Sequence, residues 1–298
     1  MIIDSDVEVK TAAELEALRG VAEITGTLLM SGDMVALDAL HCLTRVGAVE
    51  LNGMPNLTTL HGLEKLVSAT RVALVEVAAL SSIQGLGPIT EADVFAVYEA
   101  PALTSLAGAE SLESVGFLRV TKTGVLTDLD GLNGVREVGE LWLEYNAALQ
   151  NLHGLEGLQR AQRVDIIQNP VLTQVDALGA LSQSKWIEIS GNDELSSFAG
   201  FSGLTGSLDT LTLSGSPLLA SLHGFEGITR VGVELDVTFH DVLSSLDGLA
   251  GLEYAGTCWI GYNDVLPSCE VQAFLDRLER PVGASTMASG NDDAAICP

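Results

Sequence analysis

Positive charge is what this sequence has least of. Lys and Arg together number 14 against 40 Asp and Glu, a formal net charge of −26. Such a surface repels phosphate backbones and anionic lipid headgroups, which argues against nucleic acid as a partner and against direct membrane insertion. Other absences narrow the field further. Met1–Lys10, MIIDSDVEVK, has neither a basic start nor an apolar run, so no signal peptide is legible there. The most apolar stretch, Val72 to Ile89, is broken by Glu76, Gly85, Gly87 and Pro88, too interrupted for a helical span. The four cysteines, Cys42, Cys258, Cys269 and Cys297, form no CxxC pair and no zinc spacing. No GxSxG, phosphate-binding or dinucleotide-binding glycine motif occurs. Aromatics are only 5% of the chain and charged residues 18%, yet 47% is hydrophobic, so the chain is not disordered.

What is present is a repeat. The unit L-x-x-L-x-G-L reads Leu57-Thr-Thr-Leu60-His-Gly62-Leu63, then Leu126-Thr-Asp-Leu129-Asp-Gly131-Leu132, then Leu149-Gln-Asn-Leu152-His-Gly154-Leu155. It continues as Leu219-Ala-Ser-Leu222-His-Gly224-Phe225 and Leu243-Ser-Ser-Leu246-Asp-Gly248-Leu249. The first apolar position falls at Met34, Leu57, Leu80, Leu103, Leu126, Leu149, Leu172, Leu195, Leu219, Leu243 and Leu266, in steps of 23 or 24. Eight and six residues before each anchor stands an apolar pair, as in Val72/Leu74, Leu141/Leu143 and Val164/Ile166. Alternation with period two predicts one strand per repeat with one buried face. Asn146, Asn169, Asn192 and Asn263 recur three residues before the anchors, where a stacked amide bonds backbone at the turn. One strand per coil at fixed spacing predicts a β-solenoid of about eleven coils with one parallel sheet, each coil burying its leucines only against the next. The predicted organisation is an N-terminal cap over 1–25, a solenoid over 26–266 and a C-terminal cap over 267–298, one structural domain overall. Thr11-Ala-Ala-Glu14 is a capping box for a helix over 11 to about 20, and Pro267-Ser268 opens a second helix that Pro281 stops.

The unit resembles the leucine-rich repeat. Val138-x-x-Leu141-x-Leu143-x-x-Asn146 matches its L-x-x-L-x-L-x-x-N core, and the coil from Asn146 through Val164 is similar to the receptor L-domain variant. Cys269 with Gly290-Asn291-Asp292 and Cys297 resembles the end of secreted or surface-anchored bacterial members. The resemblance implies a right-handed solenoid and non-catalytic recognition at the cell surface. With their position at either end of the tail, it also implies a Cys269–Cys297 disulfide, four free thiols being the alternative. It departs from the family in the early coils, where the Asn column reads Met54, Val77, Ala100 and Thr123.

Outward positions lie nine, seven and five residues before each anchor, with four before at the strand exit. They collect Tyr98, Phe117, Trp142, Tyr145, Trp186, Phe239, Trp259 and Tyr262. Outward Trp and Tyr are the usual anchors of recognition surfaces. The candidate binding residues are Tyr98, Phe117, Arg119, Trp142, Glu144, Tyr145, Arg163, Asp165, Trp186 and Glu188, while Phe239, Trp259 and Tyr262 are expected under the C-terminal cap. Aromatic pairing that merely stabilises an exposed sheet is the plain alternative. His61, His153 and His223 share one column but lie three or more coils apart, so no metal is assigned, and loop acids such as Asp33 and Asp264 are read as solvated. No cofactor is implied. The function expected is a non-enzymatic module, surface or secreted, that binds a protein or glycan on its outward strand face. The alternatives are a structural spacer or cell-envelope scaffold, a carbohydrate-active enzyme of the parallel-solenoid type built on Glu144, Asp165 and Glu188, and a cytoplasmic location.

Overall fold

The computed structural model describes residues 1–281 and 284–295. The fold is a parallel β-solenoid of about eleven coils. The chain divides into two compact units, Met1–Leu149 with His153–Gly157, and Gln150–Leu152 with Leu158–Pro298.

The first unit holds β1 (Ile2–Ile3), β2 (Val7–Val9), a short helix α1 (Ala12–Glu16), and then β3 (Glu23–Met30), β4 (Arg45–Asn52), β5 (Ser68–Val75), β6 (Glu91–Tyr98), β7 (Ser114–Thr121) and β8 (Glu137–Glu144). The pairing runs Val49↔Val72↔Phe95↔Leu118↔Leu141, so identical columns of successive coils lie side by side. Both β1 and β2 pair with β3, so strand pairing begins at the N-terminus rather than after the capping helix. The capping box at Thr11 and Glu14 is formed. The helix is shorter than its apolar spacing suggests, because Leu18 and Arg19 already bond back three residues, and Gly20, at φ 82°, turns the chain away.

The second unit holds β9 (Arg160–Ile167), β10 (Trp186–Ser190), β11 (Gly206–Ser214), β12 (Ile228–Thr238), β13 (Tyr254–Gly261), helix α2 (Ser268–Arg277) and β14 (Thr286–Met287). Here Val164↔Ile187↔Leu211↔Leu235↔Cys258 keep one column in register. Helix α2 stops at Arg277, four residues short of Pro281, because the chain turns back and Glu279 bonds the backbone of Glu253 and Ala255. All eleven anchors from Met34 to Leu266 are buried. The glycine of the repeat is steric: a Cβ at Gly131 would collide with the carbonyl oxygen of Leu106, and one at Gly224 with that of Phe198.

The exits of β4 to β13 use the same uncommon backbone, with glycine taking the position at Gly53, Gly191 and Gly215. The residue four before the anchor is left-handed at Glu76 (φ 54°), Glu99 (55°), Lys122 (57°) and Tyr145 (55°) in the first unit. It is left-handed again at Gln168 (55°), Phe239 (61°) and Tyr262 (56°) in the second. Such a residue costs roughly 1–2 kcal/mol where it is not glycine. Its amide then points along the stack. Glu76 N donates to Tyr98 O at 2.9 Å, Lys122 N to Glu144 O at 3.0 Å, and Phe239 N to Gly261 O at 3.2 Å.

The next column inward carries the polar ladder. Asn146 Oδ1 accepts from Thr123 N at 3.1 Å and its Nδ2 donates to Val120 O at 2.9 Å. Asn192 does the same for Asn169 N at 3.0 Å and Ile166 O at 2.8 Å. Asn263 serves His240 N at 3.1 Å and Val237 O at 3.0 Å. The tail supplies one more rung. Asn263 N donates to Asn291 Oδ1 at 3.3 Å, Asn291 Nδ2 donates to Ile260 O at 3.0 Å, and Gly290 is left-handed at 73°. Ser289-Gly290-Asn291-Asp292 therefore repeats the exit Ser190-Gly191-Asn192-Asp193, and the tail closes the unit as a partial coil. The Cys269–Cys297 pairing lies outside the described residues, because Cys297 is not among them.

One rung is a histidine. His240 is fully buried, with Nδ1 3.0 Å from Ser216 O and Nε2 3.1 Å from Leu213 O. Burial holds its pKa below the ordinary 6.5, partly offset by these two carbonyls and by Asp241. Between the lowered folded value and 6.5 the unfolded chain binds the additional proton, so stability falls as pH drops through that window and levels off below it. His240→Asn, which installs the residue the ladder uses elsewhere, is expected to remove this component. Urea midpoints at about pH 7.5 and about pH 5.5 should then shift less in the variant than in the wild type. Equal shifts in both proteins would show that His240 is not the titrating rung.

Candidate functional site

The outward columns of the first unit converge on Arg119. Its row reads Ala73↔Ala96↔Arg119↔Trp142 across β5 to β8. The guanidinium carbon lies 4.8 Å from the ring centre of Tyr98 and 5.7 Å from that of Trp142. Phe117 meets Trp142 edge-on, with centroids 5.1 Å apart and planes at 76°. Arg119 Nε donates to Thr121 Oγ1 at 3.1 Å, and Nη2 stands 3.8 Å from Glu144. Tyr98 is held from its other side, where Lys122 Nζ donates to its hydroxyl at 2.6 Å and to Glu99 at 2.7 Å. The Glu99 carboxylate, followed by the Tyr98 hydroxyl, raises the Lys122 pKa. Tyr145, at the strand exit, is 53% exposed. The next two positions of the row, Ala96 and Ala73, are buried, at 8% and 3% exposed.

The second unit places Arg163, Asp165, Trp186 and Glu188 together on β9 and β10. Arg163 Nε donates to both Asp165 oxygens at 2.9 and 2.7 Å, its Nη2 reaches Glu188 at 3.5 Å, and its guanidinium lies 4.6 Å from the Trp186 ring centre. Asp165 is correspondingly 1% exposed, which corrects its expected place on the open surface: the guanidinium and the neighbouring strands cover it. Phe239, Trp259 and Tyr262 also differ from expectation. They are 53%, 41% and 47% exposed rather than covered by the C-terminal cap, although Met287 of the tail pairs with Trp259 and Gly290 lies against the Tyr262 ring. Phe239 and Tyr262 stack on each other at 4.8 Å with planes 3° apart.

The histidine column has a local explanation that sequence spacing concealed. His61, His153 and His223 each place Nδ1 2.7–2.8 Å from the glutamate three residues on, Glu64, Glu156 and Glu226. The second oxygen of each glutamate accepts the N–H of the intervening glycine, so the column is a turn lock. Cys42 and Cys258 are free thiols, and burial pushes the Cys258 pKa up to about 11, which makes it a packing residue rather than a nucleophile. Among the described residues no cluster of three His, Cys, Asp or Glu is arranged to hold a metal, and no helix is long and apolar enough to cross a membrane.

No family model matches the chain, and no curated protein matches it. Among solved structures it is similar to an internalin from Listeria monocytogenes, at 15% identity with a TM-score of 0.38, over 95% of this chain and 84% of that one.

The Arg163–Asp165 pair carries a stability prediction. Arg163→Met removes the guanidinium from a buried carboxylate and should cost about 2–4 kcal/mol, whereas Asp165→Asn, which removes the charge itself, should cost less than half as much. Urea unfolding of both variants checks this, and equal losses would mean that Arg163 contributes only the packing of its stem.

Proposed function

We propose that this protein is a non-enzymatic recognition module, secreted or held at a cell surface, whose outward strand face binds a protein partner. The observation that carries the reading is the patch of Tyr98, Phe117, Arg119 and Trp142. Trp, Tyr and Arg are the residue types that dominate binding hot spots. Here they are interlocked before any partner arrives, so little side-chain entropy remains to be lost on association. A spacer needs no such construction on an open face. The enzymatic alternative is weakened by Asp165, which is buried under Arg163 and so poorly placed to exchange protons with a substrate. The coil motif supports the receptor L-domain type of leucine-rich repeat as the family frame, and the secreted or surface location is proposed on the same motif.

Trp142→Ala tests the reading. Screening panels of extracellular proteins and of glycans against wild type and variant should yield a protein ligand whose affinity falls by about 30-fold or more in the variant, with folding retained. A ligand found only among glycans, or affinity indifferent to Trp142, would contradict it.

A further inference from the structure

The second unit carries a second constellation, offset from the first by its charge. Three adjacent strands present Trp186↔Thr210↔Glu234 in one outward row and Glu188↔Thr212↔Asp236 in the next, and Asp236 is followed by Trp259. The middle strand, β11, contributes only Thr210, Thr212 and Ser214 to this face. This strip of short hydroxyl side chains, the trough, lies between Glu188 on β10 and Glu234 with Asp236 on β12, strands about 10 Å apart, twice the strand spacing. In these columns from β9 to β13 Arg163 is the one cation, already engaged by Asp165 and Glu188. Among the described residues no cation lies within ion-pair distance of Glu234 or Asp236.

Two further observations mark the trough as built for an occupant. Thr210 is 3% exposed and its Oγ1 has no hydrogen-bond partner, although it sits between Trp186 and Glu234. Asp236 Oδ1 is likewise buried without a partner, as is Trp186 Nε1. Buried polar atoms are ordinarily satisfied, so three orphans on the side chains that form and border one trough ask for a ligand group. Burial, with the fields of Glu234 and Glu188 added, raises the Asp236 pKa, and the Thr238 hydroxyl offsets this only in part. The Glu188 field reaches Asp236 across Thr212.

We propose that this trough receives the guanidinium of an arginine from the partner protein, held by Glu188, Glu234 and Asp236 and flanked by Trp186 and Trp259. The inference rests on the protein-binding reading above. Arginine fits better than lysine for three reasons. Its planar fork has five N–H donors, enough to meet carboxylates on both sides of the trough. It stacks on indole faces, as Arg163 already does on Trp186. It is also more weakly hydrated than an ammonium, so it enters a half-buried site at smaller cost. A divalent metal fits poorly, since the three carboxylates stand on strands two apart and form no metal-holding group among the described residues.

The test is calorimetric titration with hexa-arginine and hexalysine peptides at about 150 mM salt, where diffuse attraction is screened. It compares wild type, the double variant Glu234→Gln/Asp236→Asn, and a charge-matched control, Asp193→Asn/Glu194→Gln, in an exposed turn of the same unit. Hexa-arginine should bind wild type and control alike and lose at least tenfold in the trough variant, with hexalysine weaker throughout. Thr212→Arg, which supplies a guanidinium from the trough itself, should block the peptide and raise the melting temperature, and it keeps the test informative if the double variant folds poorly. Equal loss in the control, equal binding of the two peptides, no binding, or binding unaffected by Thr212→Arg would each overturn the proposal. None of these variants touches Trp142. A failure here beside an intact Trp142 dependence removes the arginine site alone, and the reverse pattern removes the recognition patch alone.

Discussion

The turn out of each strand is the constraint on which this structure depends. A parallel coil must end its strand and reverse toward the opposite wall while its backbone donors and acceptors stay buried and paired. The solution recurs along the stack: one left-handed residue ends each strand from β4 to β13, and at Asn146, Asn192, Asn263 and Asn291 a side chain supplies a missing donor and acceptor, while the early coils have the apolar Met54, Val77 and Ala100 there. The left-handed step is unfavourable for Glu, Lys, Gln and Phe, and it persists where the amide bond to the next coil holds it, as at Glu76, Glu99, Lys122, Gln168 and Phe239. The step of 23 or 24 residues keeps the strand register and the exit turns aligned from one coil to the next.

The same register makes the outward face a surface of fixed spacing. Side chains of one column stand a strand apart, about 4.8 Å, the range in which a guanidinium and an aromatic ring pack face to face. Arg119 beside Trp142, and Arg163 on Trp186, are both products of that spacing, and Arg119 meets Tyr98 on the diagonal. The rigidity of the backbone is thus passed to side chains that would otherwise move freely in solvent, and the outward face is preorganised.

Much of this was legible in the sequence, because anchors, inward pairs and the Asn column are periodic and a periodic signal survives drift. What escaped it were interactions set by local chemistry. The final rung at Asn291 follows Asn263 by 28 residues rather than 23, because helix α2 is inserted between them, and only the repeated Ser-Gly-Asn-Asp string discloses it. Asp165 reads as an outward acid, yet two residues earlier stands the arginine that covers it, and column counting carries no information on such lateral contacts. The exposure of Phe239, Trp259 and Tyr262 is set by how the tail lies, with Met287 paired to Trp259 and Gly290 against Tyr262, which column counting does not disclose. The trough at Thr210 and Thr212 is defined by what is short rather than by what is charged, and short polar side chains give no motif.

The strand-exit amides offer the most direct measurement of this account. Native-state hydrogen exchange resolved at Glu76, Glu99 and Lys122 in the first unit, and at Gln168, Phe239 and Tyr262 in the second, reads the bonds that link one coil to the next. Protection comparable to the mid-strand amides of the same unit is the result expected if the exits hold the stack together. Exchange at the rate of the exposed turns that follow them would contradict it.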